Sequence, residues 1–188
     1  RGRGHLPRGP LRLSSAVSAP SFEAEDGLDL WPLRSPTLPP ATHTNCWLLG
    51  RDDLTVVDPG TPWTEELEAL LEALQDRKIT RIFLTHHHHD HVSGALAIQS
   101  RTGAPIACHP LTASRVSFEV QELYEDGDLL PTQATHWRLI HTPGHATGHL
   151  CLHDPNDGTV IAGDMVAGEG TILLEPDEGD LQAYLHSL

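Results

Sequence analysis

Thr85-His86-His87-His88-His89-Asp90-His91 directly follows the apolar run Ile82-Phe83-Leu84 and contains the spacing His-x-His-x-Asp-His. His86 and His88 are two residues apart, so both imidazoles can point at one cation where the chain leaves a strand in an extended turn. Asp90 and His91 follow as the chain turns towards a helix, and they can reach a second cation a few Å away. The alternative is a solvated histidine-rich loop that binds metal adventitiously. The spacing favours a two-metal site.

Two downstream segments supply further candidate ligands. His145 lies in Thr142-Pro143-Gly144-His145, after an alternating run, and offers a third histidine for the first metal. Asp164 ends the short apolar run Val160-Ile161-Ala162-Gly163-Asp164, and its carboxylate could bridge two cations. Each candidate comes just after a predicted strand, where the loops of an α/β protein gather at one edge of the sheet. We therefore expect these side chains to meet.

The chain from about Thr44 to Leu188 resembles the metallo-β-lactamase fold superfamily. The resemblance is carried by four pieces of sequence: Val56-Val57-Asp58-Pro59-Gly60, the motif at 86–91, the Thr-Pro-Gly-His around His145, and Gly163-Asp164. It implies an α+β fold, an αββα sandwich in which two βα halves pack sheet to sheet with helices outside. Because only one helix is predicted after Asp164, the C-terminal part of this sandwich is expected to be incomplete.

The resemblance also implies a zinc centre of one or two ions. The first ion would be held by three histidines, namely His86, His88 and His145. Asp90 and His91 would serve the second ion, and Asp164 would bridge the two. Asp58 would stay off the metal and would hydrogen-bond and orient a ligand histidine.

The sequence departs from the family at the last ligand. Members that bind two metals normally supply a further histidine from a Gly-His-Gly-like segment some tens of residues after the bridging acid, and no such segment follows Asp164. His186, in a predicted helix, is the alternative ligand. We expect a C-terminally truncated chain that holds one metal tightly and the second loosely. His87 and His89 are expected to point away from the metals, and His149 to be a structural or supporting residue.

Composition predicts one domain over residues 21–188, preceded by a flexible basic arm or linker over residues 1–20. The arm contains 4 of the 12 Lys and Arg residues and none of the 26 Asp and Glu residues, so residues 21–188 have a formal net charge of −18. Such a surface repels nucleic acid at long range, which argues against a duplex partner. No apolar run approaches the ~20 residues of a membrane span, so no membrane partner is expected. The oligomeric state is not indicated.

The three cysteines, Cys46, Cys108 and Cys151, are odd in number and form no Cys-x-x-Cys pair. They predict a reducing compartment, with the cytoplasm ranked before the mitochondrion. None falls at a ligand position. Zinc β-lactamases of the commonest type use a cysteine at the second metal, whereas this sequence has Asp90-His91 there.

The candidate ligands predict an enzyme that hydrolyses its substrate. Zinc held by neutral imidazoles lowers the pKa of bound water to about 7, and the resulting metal-bound hydroxide could attack an ester, thioester or phosphodiester. Asp90 could position that nucleophile and take its proton. A non-catalytic module that binds one metal is the alternative, because the last ligand is missing.

Two subfamily resemblances compete over the substrate. The segments 168–172 and 178–188 resemble small β-lactamase-like hydrolases that include a mitochondrial single-strand endoribonuclease. Thr142-Pro143-Gly144-His145-x-x-Gly148-His149 is shared with hydroxyacylglutathione hydrolases, the glyoxalase II thioesterases. The first resemblance is longer and is preferred, so the expected substrate is a small molecule or single-stranded RNA.

Hydrophobic periodicity predicts the elements that carry these motifs. A helix is expected over Glu65 to Asp76, because its leucines recur at 3, 4 and 7 residues. A second helix is expected over 92–99 and a last one near 181–186. Strands are expected near 44–50, 53–58, 81–84, 104–108, 136–141, 148–153 and 159–162.

Overall fold

The computed structural model describes residues 22–24, 27–168 and 170–188. The predicted basic arm, residues 1–20, lies outside the described residues. The helices are α1 Thr64–Ala73, α2 His89–Val92, α3 Ala95–Thr102, α4 Pro110–Ala113 and α5 Leu181–Ser187, with a 3₁₀ turn at Gly163–Met165. The strands are β1 Phe22–Ala24, β2 Leu28–Arg34, β3 His43–Leu49, β4 Asp53–Val57, β5 Lys78–Phe83, β6 Ile106–Cys108, β7 Glu122–Leu123, β8 Leu129–Pro131, β9 His136–His141, β10 Leu150–His153 and β11 Val160–Ile161.

The strands form two sheets. The larger sheet has the order β1-β2-β3-β4-β5-β6-β7, antiparallel from β1 to β4 and parallel from β4 to β7. The smaller sheet is antiparallel, with the order β11-β10-β9-β8. Parallel neighbours such as β4 and β5 end at the same edge, so the loops that follow them lie side by side.

Apolar side chains alternate between the two faces of the larger sheet and bury both. On one face, Val56 and Ile82 pack with Leu70 of α1 and Ile98 of α3. On the other face, residues such as Phe83 pack against the smaller sheet through a core of Leu49, Val57, Ala107, Leu130, Trp137, Leu139, Leu150, Leu152 and Ile161. The result is a sheet-on-sheet sandwich with α1 and α3 on the outer face of the larger sheet.

The structure differs from the expected elements in several places, and the strands β1, β7 and β8 are among those that were not predicted. The helix predicted over 92–99 is instead two short helices, α2 and α3, with Gly94 between them. Strand β2 was not predicted at all, because Pro32 removes a ladder donor from the middle of it. Pro32 nevertheless lies within the ladder of β2 with β3, opposite Asn45.

Two loops at the ends of β4 and β5 are in direct contact. A Cβ on Gly60 would lie 1.6 Å from the carbonyl oxygen of Asp90, and one on Gly94 would lie 2.5 Å from the carbonyl oxygen of Pro59. Only glycine permits backbones to approach this closely. The Asp58-Pro59-Gly60 turn is therefore packed against the histidine-rich loop, with Asp58 in a left-handed conformation at φ 52°.

Among the described residues, no helix combines the length and the apolar character that crossing a bilayer requires.

Candidate metal centre

Four side chains from three loops bring one ligand atom each to a common point. These atoms lie within 4.8 Å of one another and belong to His86, His88, His145 and Asp164. His86 Nε2 is 3.1 Å from His88 Nδ1 and 3.3 Å from His145 Nε2. Asp164 Oδ2 is 3.4 Å from His145 Nε2 and 4.0 Å from His86 Nε2. The loops that follow β5, β9 and β11 thus meet at one point.

The spacing of these atoms fits a zinc ion. A tetrahedral zinc with ligands at 2.0 to 2.1 Å holds its ligand atoms about 3.3 Å apart. The converging nitrogens also point their lone pairs at one another, since the other nitrogen of each ring is the one that donates a hydrogen bond. Such a cluster of acceptors is repulsive without a cation among them. The residues therefore fit a metal on both geometry and chemistry.

Asp58 accounts for the orientation of two imidazole rings, those of His86 and of the neighbouring His91. Its Oδ2 accepts a hydrogen bond from Thr85 Oγ1 at 2.7 Å and lies 2.9 Å from His91 Nδ1. The Thr85 hydroxyl has given its proton to Asp58, so it accepts from His86 Nδ1 at 3.0 Å. Asp58 thereby leaves the Nε2 lone pair of His86 facing the centre and turns Nε2 of His91 towards Asp164.

The other two imidazoles are held by a segment that follows Asp164. His145 Nδ1 donates to the carbonyl oxygen of Leu173 at 2.7 Å. His88 Nε2 lies 2.7 Å from Glu178 Oε1, which leaves Nδ1 facing the centre. Neither Leu173 nor Glu178 was assigned a role from the sequence. Their segment lies far along the chain and has no periodicity that would place it at the site.

A second group of residues adjoins the first through Asp164. Asp164 Oδ1 is 3.1 Å from His91 Nε2, while its Oδ2 faces His145, so the two oxygens of one carboxylate face different sides. Burial would raise the pKa of Asp164, but the hydrogen bond from His91 and the charges of the nearby histidines hold it below its usual value. This is the arrangement that a bridging carboxylate needs.

Burial alone would lower the pKa of His91, but the carboxylates of Asp58 and Asp164 outweigh it and raise that pKa well above its usual value. The place between these carboxylates therefore favours a positive charge. For His86, burial comes first and the neighbouring histidines second in lowering the pKa well below its usual value. A neutral imidazole is the form that binds a metal.

Asp90 and the remaining histidines lie outside the group of four converging side chains. Asp90 lines the cavity beside the centre, and its carboxylate has no hydrogen-bond or ion-pair partner among the described residues. His87 and His89 do not join the converging group, and neither does His186, which is exposed on α5. His149 is fully buried and supports the site: its Nε2 accepts a hydrogen bond from the backbone N–H of Asp164 at 3.2 Å.

The cavity at the centre has a volume of about 910 Å³. One wall is the segment that includes Leu38, Pro39 and Trp47, and another is formed by Val166 and Leu173. Leu38, Val166 and Leu173 are largely exposed, at 57, 64 and 43%. The cavity is therefore lined by exposed apolar side chains as well as by the histidines and Asp90.

Two packed sheets with a cluster of histidine and carboxylate side chains at their strand ends define an α+β sandwich with a candidate metal centre. The chain belongs to the Metallo-beta-lactamase superfamily, whose family model matches residues 39–188. This confirms the predicted family and fold class. Membership alone leaves the ion and the substrate open, because the fold hosts several reactions.

Individual relatives agree with this assignment. A hydroxyacylglutathione hydrolase of Cereibacter sphaeroides is 34% identical over 164 residues, which cover 84% of this chain and 60% of that protein. A beta-lactamase-like protein 2 homolog of Drosophila melanogaster is 34% identical over 163 residues, which cover 77% of this chain and 53% of that protein. The solved structure of a metallo-beta-lactamase family protein of Thermus thermophilus matches with a TM-score of 0.69 at 26% identity, covering 86% of this chain and 68% of that one. The chain spans 60% or less of the length of these two curated relatives.

Replacing Asp58 tests whether its carboxylate orients the histidines of the candidate centre. Asp58→Ala removes the acceptor of both Thr85 and His91, so two rings lose the bond that selects their orientation. We expect zinc affinity to fall roughly 10 to 100-fold while the chain remains folded. Competition with a fluorescent chelator measures the affinity, and circular dichroism checks the fold. Zinc binding of wild-type strength in a folded Asp58→Ala would contradict the role.

Proposed function

We propose that the chain forms the metal-binding part of a zinc-dependent hydrolase. The observation that carries this proposal is the convergence of three imidazoles and one shared carboxylate, the other nitrogen of each imidazole being held by a hydrogen-bond partner. His86, His88 and His145 would hold the first ion, with Asp164 as a bridge to a second ion at His91 and Asp90. The first group offers more imidazoles, so it is the tighter of the two.

The residues around the centre then have separate tasks in hydrolysis. A zinc ion bound there supplies an acidified water and polarises the oxygen of the bond under attack. Asp90 would accept the proton of the attacking water, since it lines the cavity and its carboxylate has no hydrogen-bond or ion-pair partner among the described residues. His149 and Thr142 fix the backbone at Asp164: His149 Nδ1 donates to Thr142 Oγ1 at 2.8 Å and its Nε2 accepts from Asp164 N–H.

The substrate that fits this cavity best is an ester or thioester with an apolar acyl group. The apolar side chains that line the cavity, Leu38, Val166 and Leu173, would contact such a group. The similarity to a hydroxyacylglutathione hydrolase supports the thioester class. Three free, buried cysteines suit the cytoplasm, the compartment we propose for this activity.

Single-stranded RNA is the second candidate, and the resemblance of segments 168–172 and 178–188 to small β-lactamase-like hydrolases is what favours it. Phosphates are usually bound by Arg and Lys. The cavity wall in the described residues is instead acidic, with Asp90, Asp164 and Glu175. We therefore rank RNA below the thioester.

A side-by-side assay of the zinc-loaded chain separates these candidates. A hydroxyacyl-glutathione thioester, an apolar acyl thioester and a short single-stranded RNA are each incubated with the same preparation. We expect hydrolysis of the thioesters, faster for the apolar one, and intact RNA. Cleavage of RNA alone would replace the proposed substrate class. Tight zinc binding without turnover of any substrate would favour the non-catalytic binding module.

A further inference from the structure

Glu178 has a buried carboxylate that contacts both His88, in the candidate metal centre, and Arg115. Its side chain is 6% exposed, and its Oε1 lies 2.7 Å from His88 Nε2. Its Oε2 lies 2.9 Å from Arg115 Nη1 and 3.2 Å from His87 Nε2. A guanidinium in contact with one oxygen stabilises the charged form of the carboxylate. The carboxylate is therefore ionised and accepts rather than donates.

Two roles are open to such a group. His87, His88 and Glu178 bring ligand atoms within 4.8 Å of one another, so they could form a separate cation site. Arg115 argues against that role, because its guanidinium already places a positive charge 2.9 Å from Glu178 Oε2. A metal ion at this distance from an arginine would be repelled. The group is better explained as a support for His88.

We infer that Glu178 is a positioning residue that fixes His88 as a metal ligand through Nδ1. An ionised carboxylate opposite Nε2 requires the proton on that nitrogen, so Nδ1 keeps its lone pair towards His86 and the shared ligand point. The negative charge also makes the imidazole a stronger base and a better ligand. This inference rests on the proposed metal centre and adds a residue to it.

The backbone around Glu178 holds the carboxylate in place. Gly179 is closely packed, since a Cβ there would lie 2.7 Å from the carbonyl oxygen of Glu175. The N–H of Asp180 donates to the carbonyl oxygen of Gly144 at 2.8 Å, next to His145, and the Asp180 side chain caps α5 by accepting from Ala183 N–H. The Glu178 segment is thus tied to the loop that carries another ligand.

The test compares Glu178→Ala with the matched control Asp177→Asn, a neighbouring acid that is exposed and lies away from His88. Zinc affinity is measured by competition with a chelator. The His88 tautomer in the zinc-free chain is read from long-range ¹H–¹⁵N spectra of the imidazole. We expect Glu178→Ala to bind zinc roughly 10 to 100-fold more weakly and to lose the pure Nε2–H tautomer. Asp177→Asn should match the wild type in both measurements.

Glu178→Gln is the second variant, and it decides the question if Glu178→Ala does not fold. Its amide oxygen can still accept from His88 but has no charge, so zinc affinity should fall between the wild type and the loss expected for Glu178→Ala. Zinc binding as tight as that of the wild type in every variant that folds, with an unchanged His88 tautomer, would overturn this inference alone. A wild-type chain without tight zinc binding would overturn the proposed function and this inference with it.

Discussion

His86→Ala is expected to remove most of the tightly bound zinc. His86 Nε2 lies between two other ligand atoms, with His88 Nδ1 at 3.1 Å and His145 Nε2 at 3.3 Å. Deleting it takes away one of three imidazoles and leaves an apolar side chain in a fully buried position. The loss of affinity should exceed the roughly 10 to 100-fold cost of losing a residue that only supports a ligand. Elemental analysis after dialysis measures the bound zinc.

His89→Ala is the matched control for that variant. His89 belongs to the same histidine run, but it is exposed and its Nδ1 contacts Ser93 Oγ at 2.9 Å. Zinc content should therefore stay at the wild-type value. If His86→Ala kept the wild-type stoichiometry, or if both variants lost zinc equally, the ligand assignment would be wrong.

The second large effect is expected at Asp90. Asp90→Asn keeps the size of the side chain but removes its ability to accept a proton. General-base catalysis contributes about 10² to 10⁴-fold to a rate, so thioester hydrolysis should fall by that amount. The first zinc should remain bound, because Asp90 is outside the converging group of His86, His88, His145 and Asp164. Steady-state kinetics on protein of known zinc content separates the two effects.

Glu175→Gln serves as the control, since Glu175 is an exposed acid that also lines the cavity. Its hydrolysis rate should stay within a few-fold of the wild type. A rate in Asp90→Asn close to that of the wild type would assign the proton transfer to another group.

Much of the fold could be predicted from the sequence, because the motifs and the hydrophobic periodicity indicated the same strand ends. The runs that became β4, β5 and β9 are apolar or alternating, and each is followed within about four residues by a candidate site residue. Strand β2 could not be read in this way, because Pro32 opposes a strand on local grounds and pairing with β3 outweighs that preference. The break between α2 and α3 was missed because the tight contact of Gly94 with Pro59 is a tertiary feature.

Some residues of the candidate site could be predicted from the sequence and others could not. Those that could not lie far along the chain from the motifs. His86, His88, His145 and Asp164 are in recognisable motifs, and the structure places them together, while their role as ligands stays a prediction. Glu178 lies 90 residues from His88 and could be found only from the packing of its segment. Asp58 was expected to orient one histidine, whereas the structure places it in contact with His91 and, through Thr85, with His86.

The central claim is that a zinc ion binds among these four side chains. Anomalous diffraction at the zinc edge, on crystals of the zinc-loaded chain, tests it most directly. We expect the strongest peak at about 2 Å from His86 Nε2, His88 Nδ1, His145 Nε2 and Asp164 Oδ2, with any second, weaker peak beside His91. A strongest peak on His87, His88 Nε2 and Glu178, or no ordered zinc in the crystals, would contradict it.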